Sequence, residues 1–326
     1  MRAAVTGGAG FIGSHLIEAL LARGDSVTCI ERPGAGRGWL REHPVEFLPI
    51  GLGCPSALQS ALRGSEVVFH LAALTEARST SAFYQVNADG TRRVLQAAAA
   101  QGSSAPRVIL LSSLAALGPC RDGVPLDPDT LPCPLSHYGQ SKLIAESMVH
   151  AFADRVPSTI LRFPSVYGPR ERGVLAFFRM VQRGVALTIG RWDREISMLY
   201  VLDAVQSLLA AAASPGAVGR TYCVAHPEII TWSRFADAAG QALGRDPVRL
   251  SVPRPVACIV AAAAEATARM RGRAAILNRE RMRELTQARW VCDGSRAVSE
   301  LGFRPEFAVE RGTAEAVAWY RGAAWL

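Results

Sequence analysis

The 326-residue chain lacks a bilayer-length apolar run: the longest, Val256 to Ala264, is nine residues, against the roughly 20 that a spanning helix needs. It also lacks any Cys-x-x-Cys pair. Its seven cysteines are dispersed, which fits reduced thiols and no metal cluster. No basic leader or cleavage site precedes the first apolar run, so we expect no secretion and a cytoplasmic protein. No internal repeat or low-complexity linker separates the two halves, and close packing between them is expected. With 49% hydrophobic and 20% charged residues, a disordered or fibrous chain is excluded.

The charge balance is +8, and much of it lies in one segment. Arg269, Arg271, Arg273, Arg279, Arg281, Arg283 and Arg289 stand there against Glu280 and Glu284. No interleaved aromatics or nucleic-acid signature accompany them, so no nucleic-acid partner is expected. The reading favoured is a solvated helical face. Weak membrane-surface association or an oligomer contact, using the neighbouring Val256 to Ala264 run, is the lesser option.

What the chain does have begins at residue 7. Gly7-Gly8-Ala9-Gly10-Phe11-Ile12-Gly13 follow a short apolar run and open a helical pattern from Ser14 to Arg23. Gly7, Gly10 and Gly13 therefore fall at a strand-to-helix turn. There, small residues let the backbone approach a pyrophosphate, and the helix N-terminus offers unpaired N–H groups. A glycine trio alone is only a tight turn. The preceding strand, the following helix and Glu31 at the end of the next strand together point to a dinucleotide.

Strands read at Arg2–Thr6, Ser26–Glu31, Val45–Pro49, Val67–Leu71, Arg107–Ser112 and Thr159–Phe163. Helical patterns separate most of them, notably Thr80–Gln101 and Ser136–Ala153. That alternation predicts an α/β fold with a doubly wound parallel (Rossmann) sheet, ligands binding beyond the carboxyl ends of its strands. After about residue 165 the rhythm breaks at Pro164, Pro169 and Gly173. We expect residues 1–165 to form the dinucleotide-binding domain. Residues 166–326 should mainly form a smaller mixed α/β substrate domain, with a helix at 202–213 and a nearby strand returning to the first.

Tyr138-Gly139-Gln140-Ser141-Lys142 puts a phenol and an ammonium four residues apart, on one helical face. The ammonium, with the positive charge of an oxidised nicotinamide, favours phenolate and suits Tyr138 to acid–base work. Ser112 and Ser113 end an apolar strand, where the sheet would bring a hydroxyl to the same cleft. Ser113 is the candidate that holds the substrate oxygen. A surface Tyr and Lys at chance spacing is the bland alternative.

With these motifs assembled, the chain resembles the extended short-chain dehydrogenase/reductase family, which includes sugar-nucleotide epimerases and dehydratases, dihydroflavonol-type reductases and hydroxysteroid-dehydrogenase-like enzymes. The resemblance runs nearly end to end, through Thr6 to Gly13, His70 to Ala73, Asn87 to Thr91, Ser112-Ser113, Tyr138 to Lys142 and Arg162 to Pro169. Trp290 to Asp293 and Leu301 to Pro305 extend it. It implies that Tyr138 exchanges the proton, that Lys142 binds the nicotinamide ribose and lowers the tyrosine's pKa, and that Ser113 holds the reacting oxygen. It further implies that Gly7, Gly10, Phe11, Ile12, Gly13, Glu31, Arg32, Leu52, Leu71, Ala72 and Ala73 bind the cofactor. Asn87 would support the loop after the fourth strand, and Phe163, Pro164 and Ser165 would border the nicotinamide. No metal is implied, and pairing into a homodimer through two helices of the nucleotide domain is.

Departures from the family pattern narrow the substrate. Dehydratases of this family carry an acidic pair directly after the active-site hydroxyl, where Leu114 and Ala115 stand. Sugar-nucleotide enzymes usually have Asn at Ser165, and an Arg for the diphosphate at Ile196, although Arg194 lies close. Trp192, Met198, Phe177 and Phe178 could line an apolar pocket or be plain core. Gly51 replaces the usual adenine-contacting Asp, leaving Leu52 to close a less polar pocket. Glu31 suits the ribose of NAD; Arg32 and Arg37 leave NADP open. The expected activity is NAD(P)-dependent hydride transfer at a carbonyl or hydroxyl of a small, fairly apolar metabolite. A sugar-nucleotide epimerase with retained NAD and a non-catalytic nucleotide sensor are the alternatives.

Overall fold

The computed structural model describes residues 1–121, 123–270 and 279–326. Its centre is a seven-stranded sheet of β1 (Arg2–Thr6), β2 (Ser26–Ile30), β3 (Glu46–Leu48), β4 (Val67–His70), β5 (Arg107–Ser113), β6 (Ser158–Phe163) and one later strand. Every pairing in it is parallel. β4 and β6 are buried at every position, as strands covered on both faces must be.

One face is covered by α1 (Phe11–Ala22) through Leu16, Ile17 and Leu20. The other is covered by α2 (Pro55–Ala61), α4 (Asp89–Ala99) and α5 (His137–Ala151), through Leu58, Val94, Leu95, Ala145 and Val149. A short helix α3 (Thr80–Phe83) precedes α4, and a π-helical turn, Tyr84–Ala88, joins the two. The sequence reads one helix over Thr80–Gln101; the wider turn swings Asn87 into the interior. Thr91 Oγ1 meanwhile donates to the Asn87 carbonyl at 2.6 Å, engaging a group that the regular ladder would use.

The chain runs β1, β2, β3 to one side, then crosses to β4, β5 and β6 on the other. This reversal between β1 and β4 opens a crevice at the strands' carboxyl ends. Beyond β6 come β7 (Ser165–Tyr167), α6 (Gly173–Gln182), β8 (Val185–Ile189), β9 (Glu195–Ile196) and β10 (Met198–Tyr200). Then α7 (Val201–Ala213) lays Val205 and Leu208 into the α1 side of the core, and β11 (Thr221–Cys223) adds the seventh strand beside β6.

The rest is β12 (Ile230–Thr231), α8 (Trp232–Leu243), β13 (Val248–Val252), α9 (Arg254–Met270), α10 (Arg279–Leu285), β14 (Arg289–Trp290), α11 (Ser295–Leu301) and α12 (Val309–Gly322). A second core of Phe177, Phe178, Phe235, Tyr167, Tyr200 and Tyr320 holds much of this lobe together. Phe177, Phe178 and Met198 belong to that core, with Trp192 packed against it, so these four help to build the lobe. Arg170, at φ +74°, ties the lobes together, donating to Ser14 Oγ (3.0 Å) and Glu18 (2.6 Å) of α1.

Candidate active site

Six strand ends supply the crevice. After β1, Gly7 has φ +74°, and a Cβ there would sit 2.8 Å from the Ala72 nitrogen. A Cβ on Gly13 would fall 2.3 Å from the Gly7 carbonyl oxygen, and one on Gly10 3.1 Å from the same atom. The turn is closed against side chains, and Phe11 and Ile12 start α1 directly behind it. After β2, Glu31 accepts the Ala9 N–H at 2.8 Å, so the carboxylate is fixed to the glycine turn. Arg32 is exposed, while Arg37 lies over the Phe47 ring at 5.5 Å. After β3, Gly51 takes φ +65° and a Cβ would press on Pro33 at 2.9 Å. The backbone thus accounts for the glycine, and Leu52 packs beside it against Gly90. Half-buried Leu71, Ala72 and Ala73 follow β4. Ser113 ends β5 opposite Phe163 of β6, and half-buried Pro164 and exposed Ser165 come next. These residues fit a dinucleotide: small groups where backbone must approach, and a carboxylate at a ribose position.

Helix α5 carries the rest. Its N-cap Ser136 accepts the Gly139 N–H at 3.0 Å. A Cβ on Gly139 would lie 2.2 Å from the Ala115 carbonyl oxygen. The helix therefore rides directly on the turn after Ser113, where Leu114 and Ala115 are buried and no carboxylate stands. This contact brings Tyr138 to Ser113. Burial pushes the Tyr138 phenol above its usual value and the Ser113 hydroxyl pulls it back. The buried Lys142 ammonium, one turn further along α5, donates to the Leu111 carbonyl at 2.5 Å, and burial lowers its pKa to about 8, against the raising effect of Glu146.

Besides Asn87, which the sequence reading places in support of the loop after β4, several site groups carry no sequence expectation. A chain of hydrogen bonds runs from the loop after β4 to α5. The Ala72 N–H donates to Thr6 Oγ1 (3.2 Å), which lies 2.7 Å from His70 Nδ1. His70 Nε2 lies 2.9 Å from Thr91 Oγ1. Because the Thr91 hydroxyl donates to Asn87, its oxygen accepts from His70, which places a proton on Nε2. Burial and the Lys142 charge keep the ring neutral, lowering its pKa to about 3, so that Nδ1 accepts from Thr6. Asn87 accepts from Leu74 N–H (2.7 Å) and donates to Ser141 Oγ (2.9 Å), and Ser141 donates to the Tyr138 carbonyl (2.7 Å).

Beneath Lys142, buried Glu146 accepts from Ser112 Oγ at 2.5 Å and from Arg162 Nη2 at 2.8 Å. Glu146 is four residues past Lys142 and Arg162 stands within a family motif; those are the signals that could have paired them.

Helix α10 docks its glutamates on the head of α5, while Arg281 and Arg283 are exposed, as the solvated-face reading expects. Ser136 Oγ donates to Glu284 at 2.5 Å, and Glu280 Oε1 lies 3.4 Å from His137 Nε2. His137 Nδ1 is 2.7 Å from the Tyr84 hydroxyl. These groups, with Pro134, Leu135 and Arg283, line a cleft of about 410 Å³. Arg271 and Arg273 lie outside the described residues, as do the side chains of Arg269 and Arg279. Arg194 turns inward, donating to the Leu285 carbonyl and to Thr188 Oγ1 (2.9 Å), while Ile196 is buried.

A glycine cradle at a topological switch point, with Ser, Tyr and Lys gathered on its rim, defines an extended short-chain dehydrogenase/reductase, an NAD-dependent enzyme. The chain belongs to the NAD dependent epimerase/dehydratase family, whose model matches residues 3–225. It is 31% identical over 324 residues to a ceramide reductase from Caulobacter vibrioides, covering 99% of this chain and 95% of that protein. It is 32% identical over 229 residues to a UDP-N-acetyl-alpha-D-glucosaminuronate decarboxylase from Bacillus cytotoxicus (64% of this chain, 70% of that one). Among solved structures, the UDP-glucose 4-epimerase of Thermus thermophilus in complex with NAD superimposes with a TM-score of 0.80 at 25% identity, covering 99% of this chain and all of the other.

Proposed function

We propose that this enzyme interconverts a ketone and a secondary alcohol on a lipid-class substrate. The observation that carries this is the turned-in Arg194. Arg194, near the position that reads a diphosphate, is committed to Leu285 and Thr188, and Arg289 on the adjacent strand to Glu195, which leaves buried Ile196 where a charge-assisted contact would be needed. The end-to-end similarity to a ceramide reductase supports the same substrate class.

Bound NAD(H) supplies or accepts the hydride, held by Gly7, Gly10, Phe11, Ile12, Gly13, Glu31, Leu52, Leu71, Ala72 and Ala73. Glu31, fixed through one oxygen, presents the other to a ribose and repels a 2′-phosphate, which favours NAD over NADP. Ser113 holds the substrate oxygen, and Tyr138 delivers the proton to it in reduction or removes it in oxidation. Lys142 supports the phenol and the nicotinamide ribose as a cation. With its pKa near 8, that cation is lost as pH rises through 8, and reduction should slow there. In our reading residues 1–165 hold the nucleotide and 166–326 mainly the substrate, α7 and β11 serving the first part. Seven unpaired cysteines favour a cytoplasmic enzyme. The half-buried Leu143 and Ile144 of α5 favour a homodimer built on α4 and α5.

Sugar-nucleotide epimerisation with retained NAD is the second reading. It is favoured by the decarboxylase and epimerase relatives and by Arg283, exposed at the cleft. Ceramide-class ketones in mixed micelles with NADH, and UDP-sugars by thermal shift, separate the two. Tyr138→Phe should cut turnover at least about 100-fold while NAD affinity stays within about twofold. A variant that keeps most of its rate would remove Tyr138 from the mechanism.

A further inference from the structure

We infer that α9 and the adjoining β8–β13 ribbon form a docking face for the surface of an anionic phospholipid bilayer. Helix α9 has two apolar sides. Ala257 and Ala261, one turn apart, are buried against Met282 of α10, Ile189 of β8 and Val252 of β13. The other side carries Val256, Ile259, Val260 and Ala263, at the i, i+3, i+4, i+7 spacing of one stripe, and it faces outward. Ile259 is 69% exposed, Val260 52% and Val256 49%.

The ribbon continues this surface. Val252 and Ile189 are covered by α9, but Val248, Leu250 and Leu187 share their side of the strands by the two-residue alternation and are exposed. The opposite side of the ribbon is turned inward, where Arg249 donates to Ser233 and pairs with Asp237 of α8. Of the thirteen large apolar side chains exposed among the described residues, six lie in this one patch. Scattered apolar residues need no explanation, whereas such a concentration marks an interaction surface.

Charge selects the occupant. Residues 248–289 contain nine arginines and three glutamates, +6 of the chain's +8. Glu280 and Glu284 bond to the head of α5, while Arg249 pairs with Asp237 and Arg289 with Glu195. Exposed Arg254, in the first turn of α9, stands beside the start of the stripe, its guanidinium donating to Thr286 Oγ1 at 2.9 Å. No helix among the described residues is long and apolar enough to cross a membrane. An apolar stripe within a basic segment is the pattern of a helix lying in the lipid headgroup plane. Helix α10, packed on α9, reaches the head of α5, the helix of Tyr138, through Glu280 and Glu284. The docked face would thus stand one helix away from the site, a reason for the arrangement that rests on the lipid reading above.

The test is flotation of the purified full chain with phosphatidylcholine vesicles and with vesicles containing about one-third phosphatidylglycerol, without substrate. We expect binding to the anionic vesicles, weakened by salt and reduced at least about tenfold by Ile259→Glu combined with Val260→Glu. Both side chains point outward, and an unchanged NAD-induced melting shift will verify the fold. Absence of binding, or equal binding by the double variant, overturns the proposal. A fall in assembly mass of the double variant without vesicle binding assigns the face to a second copy instead, and also overturns it. Turnover plays no part in this readout, so failure of the lipid-ketone assay and failure of docking are separate results.

Discussion

Replacing Lys142 by Met should produce an enzyme that is inactive and, at neutral pH, no less stable than the original. The ammonium is 4% exposed, and its pKa of about 8 lies well below the usual 10.5. Burying the charged form therefore costs about 3 kcal/mol at pH 7. The lost hydrogen bond to the Leu111 carbonyl returns about 1–3 kcal/mol of that cost, leaving the variant equal to the wild type or up to about 2 kcal/mol more stable. The pH slope is the sharper test. Between pH 8 and 10.5 the unfolded chain binds the lysine's proton and the folded chain does not, so wild-type stability rises with pH relative to the variant. Integrated from pH 7 to 9.5, the wild type should gain about 2 kcal/mol on Lys142→Met. Paired urea melts at several pH values measure the difference directly, since titrations common to both proteins cancel. If the difference stays constant across that window, or moves the other way, Lys142 is not a desolvated cation and the argument fails.

Gly13→Ala places its Cβ against the Gly7 carbonyl at 2.3 Å. It should weaken NAD binding at least about tenfold, about 1.4 kcal/mol, read as a lost melting shift on adding NAD. Glu31→Ser removes the carboxylate that repels a 2′-phosphate and should move the ratio of NADH to NADPH turnover toward NADPH; an unchanged ratio would place cofactor choice elsewhere. Arg162→Met strands the buried Glu146 carboxylate and should cost about 3–5 kcal/mol, much of it regained in the double variant Arg162→Met with Glu146→Leu. Denaturant melts of the wild type and both variants check this.

The nucleotide half was legible because its signals are local. Each of β1 to β6 is a short apolar run bounded by turn residues, and the observed strands agree with the expected ones to within a residue or two. The glycine turn and the Tyr138–Lys142 pair are contiguous motifs whose geometry follows from one turn and one helix. What stayed hidden depends on distance in space. The π turn at Tyr84–Ala88 exists because Asn87 finds partners in Leu74 and Ser141, and helical periodicity cannot register that. Arg162 and Glu146 meet only because β6 lies beside β5 under α5. Helix α10 reads as a solvated basic face, since its arginines dominate the composition, yet its two glutamates dock it on Ser136 and His137. The aromatic residues Phe177 and Phe178 suit a pocket and a core equally by type; only the placement of Phe235 and Tyr320 against them decides.

Motifs scattered over the first 142 residues act together because one polar line, from Ala72 through Thr6, His70, Thr91, Asn87 and Ser141 to the Tyr138 carbonyl, fixes the loop after β4 and the helix of Tyr138 in a single register. Every group on it has its partner, so the line costs little to bury and much to break. His70 is the member that could have been a switch, since an imidazole normally titrates near neutrality. Burial and the Lys142 charge keep it neutral down to about pH 3. Its donor at Nε2 and acceptor at Nδ1 therefore point the same way throughout the working range, and the line cannot reverse. In the proposed mechanism the acid–base chemistry is left to Tyr138 and Lys142, whose pKa values burial moves in opposite directions from their ordinary values. The same buried sheet end that fixes the nucleotide turn thus sets the proton chemistry. Neither could be tuned without disturbing the other, and the glycine turn and the Tyr-x-x-x-Lys helix form a single device, however far apart they stand in the sequence.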